Sequence, residues 1–109
     1  MAIGRSAWLG VCCGFALAAA PALRAAADPA PGDAAQGKKY FESAGCGWCH
    51  ANGGRAPGKG PKLENTARSN SFIMFRIKHG KEGAMPAFGH TFNDAQIADI
   101  IAYIRSLKD

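Results

Sequence analysis

The sequence predicts an all-α domain of three main helices joined by long loops rich in glycine and proline. Three observations predict it. Ile97, Ile100, Ile101 and Ile104 recur at i, i+3, i+4 and i+7, the spacing of one buried helical stripe. From residue 28 onward there is no valine, and no run alternates apolar with polar residues as a half-buried strand does. Between the helical segments lie Gly53, Gly54, Pro57, Gly58, Gly60 and Pro61, then Gly83, Pro86 and Gly89, residues that punctuate loops.

The first helix is expected from Asp33 onward. Asp33 suits an N-cap because its carboxylate can accept from the unpaired N–H groups of the first turn. Tyr40 and Phe41 supply an apolar face, and Gly45 supplies the stop. Gly37, inside this helix, costs about 1 kcal/mol relative to alanine, a cost that implies close approach by another element. Residues 51–62 form a loop that passes over something. A second helix is expected over residues 71–79, with Phe72, Phe75 and His79 at helical spacing and Gly80 ending it. Residues 80–92 form another loop. Asn93 and Gln96 suit a capping box at the start of the third helix, where the isoleucine spacing overrides the strand propensity of isoleucine. No repeat or interdomain linker interrupts the pattern.

Residues 1–27 have the shape of a secretory signal peptide. Arg5 opens it, an apolar run extends from Ala7 to Ala20, and Ala25-Ala26-Ala27 forms a small-residue cleavage site. Cleavage is expected before Asp28. The run is too short and too rich in alanine for a spanning helix, which needs about 20 apolar residues. No stable membrane insertion is therefore expected after cleavage; a retained anchor is the alternative. Cys12 and Cys13 leave with this segment, and Leu9-Gly10-Val11 lacks the small residue that a lipobox places beside its cysteine.

The domain that remains, 28–109, keeps 11 of the 13 lysines and arginines (Arg5 and Arg24 are lost) against all 8 acidic residues, a formal +3. So mild a charge on an exported chain argues against nucleic-acid binding. A domain of this length lies near the lower limit for a self-sufficient core. With only Cys46 and Cys49 left, no long-range disulfide can brace it. A buried cofactor would supply the missing apolar mass.

Cys46-Gly47-Trp48-Cys49-His50 names that cofactor. Two thiols separated by two residues lie on one side of a helical turn, where each can add to a vinyl group of one haem. The histidine directly after can then ligate the iron, and this is the pattern of c-type haem attachment. Rival uses of the thiols fit less well. Thiol–disulfide exchange is usually carried on a thioredoxin-like α/β fold, and the strands are missing. A structural zinc needs four ligands, and no second cysteine pair exists to complete the set.

A haem held by His50 alone leaves one face of the iron open. Met85 lies in Gly83-Ala84-Met85-Pro86-Ala87-Phe88-Gly89, where the proline fixes the adjoining backbone and small neighbours allow approach to a flat ligand. Met74, beside Ile73 and Phe75 in the second helix, reads as packing. His79 falls where the free carbonyls of a helix end accept hydrogen bonds, and His90 reads as solvated. Either histidine is a lesser alternative to Met85.

Cys46-Gly47-Trp48-Cys49-His50, Gly60-Pro61-Lys62-Leu63, Met85-Pro86-Ala87-Phe88 and the run from Ile97 to Ile104 together resemble, in order and spacing, a class I monohaem cytochrome c of the compact bacterial type. The resemblance covers about residues 33–107. It implies the cytochrome c fold, wrapped around one haem c bound through thioethers at Cys46 and Cys49. It further implies His50 as proximal ligand, Met85 as distal ligand, and a hydrogen bond from the free ring nitrogen of His50 to the carbonyl of Pro61. Gly37 with Tyr40 or Phe41 would pack against Tyr103, crossing the first and last helices. Trp48 occupies a variable position of the pattern and is expected only to cover part of the haem edge.

The function this resemblance implies is a periplasmic one-electron carrier and not an enzyme. A His/Met iron has no vacancy for substrate and cycles between Fe(III) and Fe(II), here between a dehydrogenase-type donor and a respiratory acceptor. Lys59, Lys62, Lys78 and Lys81, joined by Lys38 and Lys39, are expected to form a docking ring for redox partners with acidic surfaces: a periplasmic dehydrogenase, a terminal oxidase or another cytochrome. One alternative is a dedicated haem c subunit of a periplasmic quinoprotein dehydrogenase. The other is a small haem enzyme with an open iron, which would require that Met85 not ligate.

Overall fold

Three helices form in this computed structural model: α1 over Ala34–Ser43, α2 over Asn70–His79 and α3 over Asp94–Ser106. The structure describes residues 32–108, together with the isolated glycines 4, 10 and 14. The leader expected over residues 1–27, with Cys12, Cys13 and the cleavage point, lies outside the described residues apart from those three glycines. Among the described residues no strand forms, and a lone β-bridge pairs Lys81 with Met85. The all-α expectation holds. No helix among the described residues is long and apolar enough to cross a membrane.

Each helix begins at a side chain that satisfies its unpaired N–H groups. The Asp33 carboxylate accepts from Ala35 and Gln36 at 2.8 and 3.1 Å. Ser69 accepts from the N–H of Phe72 at 3.1 Å, so α2 starts slightly earlier than expected. Asn93 accepts from the Gln96 N–H at 2.8 Å while Gln96 Oε1 accepts from the Asn93 N–H at 2.9 Å, the reciprocal box expected at the start of α3. After α1 the chain turns at Gly45, whose φ of 76° is a left-handed conformation that glycine adopts without steric cost.

α1 packs across α3 at Gly37. A Cβ there would overlap the carbonyl oxygen of Asp99 and lie 2.9 Å from the backbone nitrogen of Ile100. The glycine that weakens α1 by propensity is thus what lets the two backbones meet. Phe41 meets Tyr103 in a tilted contact with ring centroids 5.1 Å apart, whereas Tyr40 turns to Phe92 at 5.3 Å. All four isoleucines of the α3 stripe are at most 3% exposed.

The helix expected over residues 71–79 forms as α2 and ends at Gly80. Its inward residues are Ile73 and Ile77, one turn apart, with Met74 partly buried beside them. Neither Phe72 nor Phe75 belongs to this core. Phe75 is 56% exposed and stacks on the His79 ring at 4.6 Å, and Phe72 lies under the guanidinium groups of Arg68 and Arg76 at 4.6 and 5.3 Å. These contacts give the phenyl rings partners without burying them in the core.

Candidate haem-binding site

The first wall of the site is the tight turn that follows α1. Cys46–Trp48 forms a single 3-10 turn, and the backbone N–H groups of Cys49 and His50 both donate to the Cys46 carbonyl, at 3.3 and 3.0 Å. This folding gathers both thiols and the imidazole within one turn. Cys46 and Cys49 are free and half-buried. Burial pushes the Cys46 thiol above its ordinary pKa, a backbone hydrogen bond opposes this, and the neighbouring Cys49 adds to the rise.

His50 is 9% exposed, and its Nδ1 donates to the carbonyl of Pro61 at 2.7 Å. A carbonyl can only accept, so Nδ1 carries a proton, and in the neutral ring the lone pair lies on Nε2. The loop over residues 51–62, expected to pass over something, passes over this ring. Gly60 lies flat against it: a Cβ at residue 60 would sit 2.6 Å from His50 Cε1. The Gly60 N–H donates to the Cys49 carbonyl at 2.9 Å, and the Tyr103 hydroxyl donates to the Gly53 carbonyl at 2.7 Å. The loop is therefore tied both to the attachment turn and to α3.

Met85 comes from the loop that follows α2. Gly80, at φ 69°, turns the chain back on itself, and Lys81 and Met85 exchange backbone hydrogen bonds of 2.8 Å in both directions. Phe88 and Gly89 then donate to the carbonyls of Ile77 and Lys78 at 2.8 and 3.0 Å, fastening the loop to the end of α2. Met74 and Met85 are both half-buried against the core, but only Met85 belongs to the cavity lining.

Cys46, Cys49, His50, Pro61 and Met85 line one cavity of about 670 Å³, within the usual size range of cofactor sites. Its inner surface is apolar, with Ile73, Ile77, Phe88, Ile100 and Ile104 contributing from α2, α3 and the loop between them. These residues suit a covalently held haem: two free thiols, an imidazole, a thioether, and a lining whose only charged side chains are cations, which suit the haem propionates. His79 and His90 are exposed and lie outside the cavity lining.

The cationic residues divide differently from the expected ring. Lys59, Lys62 and Lys81 line the cavity, but Lys78 is bound to Asp94 at 2.9 Å and Lys38 stands 4.0 Å from Glu42. Arg68 and Arg76 line it as well, and sequence reasoning missed both. Their signal was the spacing around Phe72, four residues to either side, which allows both guanidinium groups to reach one ring.

A family model described as "Cytochrome C oxidase, cbb3-type, subunit III" matches residues 32–104. Cytochrome c6 of Thermosynechococcus vestitus (strain NIES-2133 / IAM M-273 / BP-1) is 37% identical over 98 residues, covering 84% of each chain. The chain belongs to this family and is a class I monohaem c-type cytochrome. The structure of cytochrome c6 from the diatom Phaeodactylum tricornutum is similar at a TM-score of 0.55 and 34% identity, over 67% of this cytochrome and 91% of that one. Subunit CcoP of the Helicobacter pylori cbb3-type oxidase is 35% identical over 80 residues, which make up 27% of that subunit. As a c-type cytochrome the protein carries covalently bound haem c and transfers electrons to and from redox protein partners; it is not an enzyme.

Proposed function

We propose that this cytochrome is a periplasmic one-electron carrier, exported by the leader at residues 1–27, with its iron held between His50 Nε2 and Met85 Sδ. Cys46 and Cys49 form the thioethers. The observation that carries the reading is the convergence of these four side chains, from two separate loops, on one apolar cavity. When bound, the haem supplies a reversible Fe(III)/Fe(II) change of one electron.

The chain's own groups set how that change behaves. The hydrogen bond from Nδ1 to Pro61 orients the His50 ring and makes Nε2 a stronger donor. The folded-back loop carries Met85 on the bridge to Lys81, and a His/Met pair raises the potential. The isoleucine walls exclude water and disfavour the extra positive charge of the ferric state. The partners are redox proteins with acidic surfaces, a dehydrogenase-type donor and a respiratory acceptor. The similarity to an oxidase subunit, CcoP, supports an oxidase on the acceptor side.

Carbon monoxide tests the closed iron. The reduced wild-type protein is expected not to bind it, and Met85→Ala is expected to bind it readily. Free binding by the wild type would overturn the His50/Met85 assignment and reopen the reading of a small haem enzyme.

A further inference from the structure

Trp48 is 90% exposed, and with Phe75 it is one of two large hydrophobic side chains left exposed among the described residues. Phe75 has a ring partner in His79. Trp48 has no ring partner among the described residues, and it belongs neither to the core cluster nor to the partly buried side chains packed against it. Folding therefore gives this indole little of the apolar burial that ordinarily retains a tryptophan. It nevertheless stands between the two thiols, on a turn fixed by the Cys46 carbonyl, and lines the haem cavity.

The charges at the same opening have one sign. Lys59, Lys62, Arg68, Arg76 and Lys81 line the cavity with Trp48, and no aspartate or glutamate does. Glu64 comes within 3.6 Å of Lys62, but its carboxylate is buried and presents little charge outward. An exposed apolar side chain that shares a cavity lining with cations alone has the composition of an interface anchor with a steering rim.

We infer that Trp48 is the apolar anchor of the electron-transfer docking surface, and that its partner presents an acidic protein surface with a shallow apolar recess. The inference rests on the haem reading above. It divides the work of docking: the cations speed encounter and weaken with salt, while the indole sets how long the encounter lasts. A partner seated on Trp48 is held against the segment that binds the haem.

The test uses the haem-loaded protein on gold electrodes bearing two thiol monolayers, one ending only in carboxylates and one mixing carboxylate with methyl ends. Adsorption isotherms read by cyclic voltammetry give an affinity for each. Trp48→Ala is expected to bind the mixed monolayer about tenfold or more weakly than the wild type, the loss typical of a truncated anchor. The two proteins should bind the pure carboxylate surface alike, and Trp48→Phe should retain most of the gain. Replacing Lys59 and Lys62 with glutamine should weaken binding to both surfaces and reduce its salt dependence.

Equal binding of wild type and Trp48→Ala to the mixed surface would overturn the anchor. Equal loss on both surfaces would do the same, because it would mark a structural role. Stronger adsorption to an ammonium-terminated monolayer would overturn the acidic partner. A Trp48-dependent dimer in sedimentation would assign the surface to a second copy of the chain and overturn the proposal too. Visible spectra and midpoint potentials of the same samples separate the two levels. Loss of the c-type spectrum in the wild type defeats the haem reading, whereas an intact spectrum with an indifferent Trp48 defeats the docking inference alone.

Discussion

Gly60 shows how closely the site is fitted at the scale of a single residue. A methyl group there would stand 2.6 Å from His50 Cε1 and 2.9 Å from Nδ1, so the ring or the loop must move. Gly60→Ala is expected to destabilise the holoprotein by about 1–3 kcal/mol, the range for overpacking, measured by chemical denaturation. It should also raise the midpoint potential. Moving the ring off the Pro61 carbonyl makes His50 a weaker donor, and weaker donation favours Fe(II). An unchanged potential would mean that the Nδ1 hydrogen bond does not tune the iron. Cys46, Cys49 and His50 stood out because the attachment pattern fixes their spacing, Met85 because of its small-residue loop and following proline, and Pro61 came from family resemblance alone. Glu64 was not legible. It is buried, its Oε1 has no partner among the described residues, and nothing in the local sequence marks it as different from a surface glutamate.

Among the elements, the crossing of α1 and α3 carries the most specific packing. Gly37→Ala should gain about 1 kcal/mol of helix propensity and still lose stability, because the added Cβ meets the Asp99 carbonyl. A rise in denaturation midpoint would contradict the crossing. Ile100→Ala should cost about 2–5 kcal/mol, since Ile100 is 2% exposed and lines the cavity as well as the core. α3 was readable from its sequence because its isoleucines all face one way. The inward face of α2 was not legible, because its most conspicuous apolar residues, Phe72 and Phe75, lie outside the core and find guanidinium and imidazole partners, Phe72 also lining the cavity. The spacing of Phe72, Phe75 and His79 identified the helix, and nothing in it marked Ile73 and Ile77 as the inward pair. Arg105 was also hidden. Its guanidinium donates to Asn70 Oδ1 and the Thr66 carbonyl, both at 2.9 Å, and to the Arg68 carbonyl, tying the segment before α2 to the end of α3. A fork of contacts across 35 or more residues leaves no local periodicity to read.

The whole molecule joins a small helical core to a one-signed opening. Cations at the cavity predict that electron-transfer rates with an acidic partner fall as ionic strength rises, measured by stopped-flow at several salt concentrations. A flat or rising dependence would contradict that arrangement. Lys78 and Lys38, each paired with a carboxylate, should contribute less to the salt slope than Lys59 when changed singly to glutamine. The most direct measurement is the visible spectrum of the oxidised holoprotein beside that of Met85→Ala. The wild type should show the weak absorption at the red end that marks a sulfur–iron bond, and the variant should lose it while keeping its c-type α band on reduction. A wild type without that absorption, or a Met85→Ala variant that retains it, would contradict an iron held between His50 and Met85.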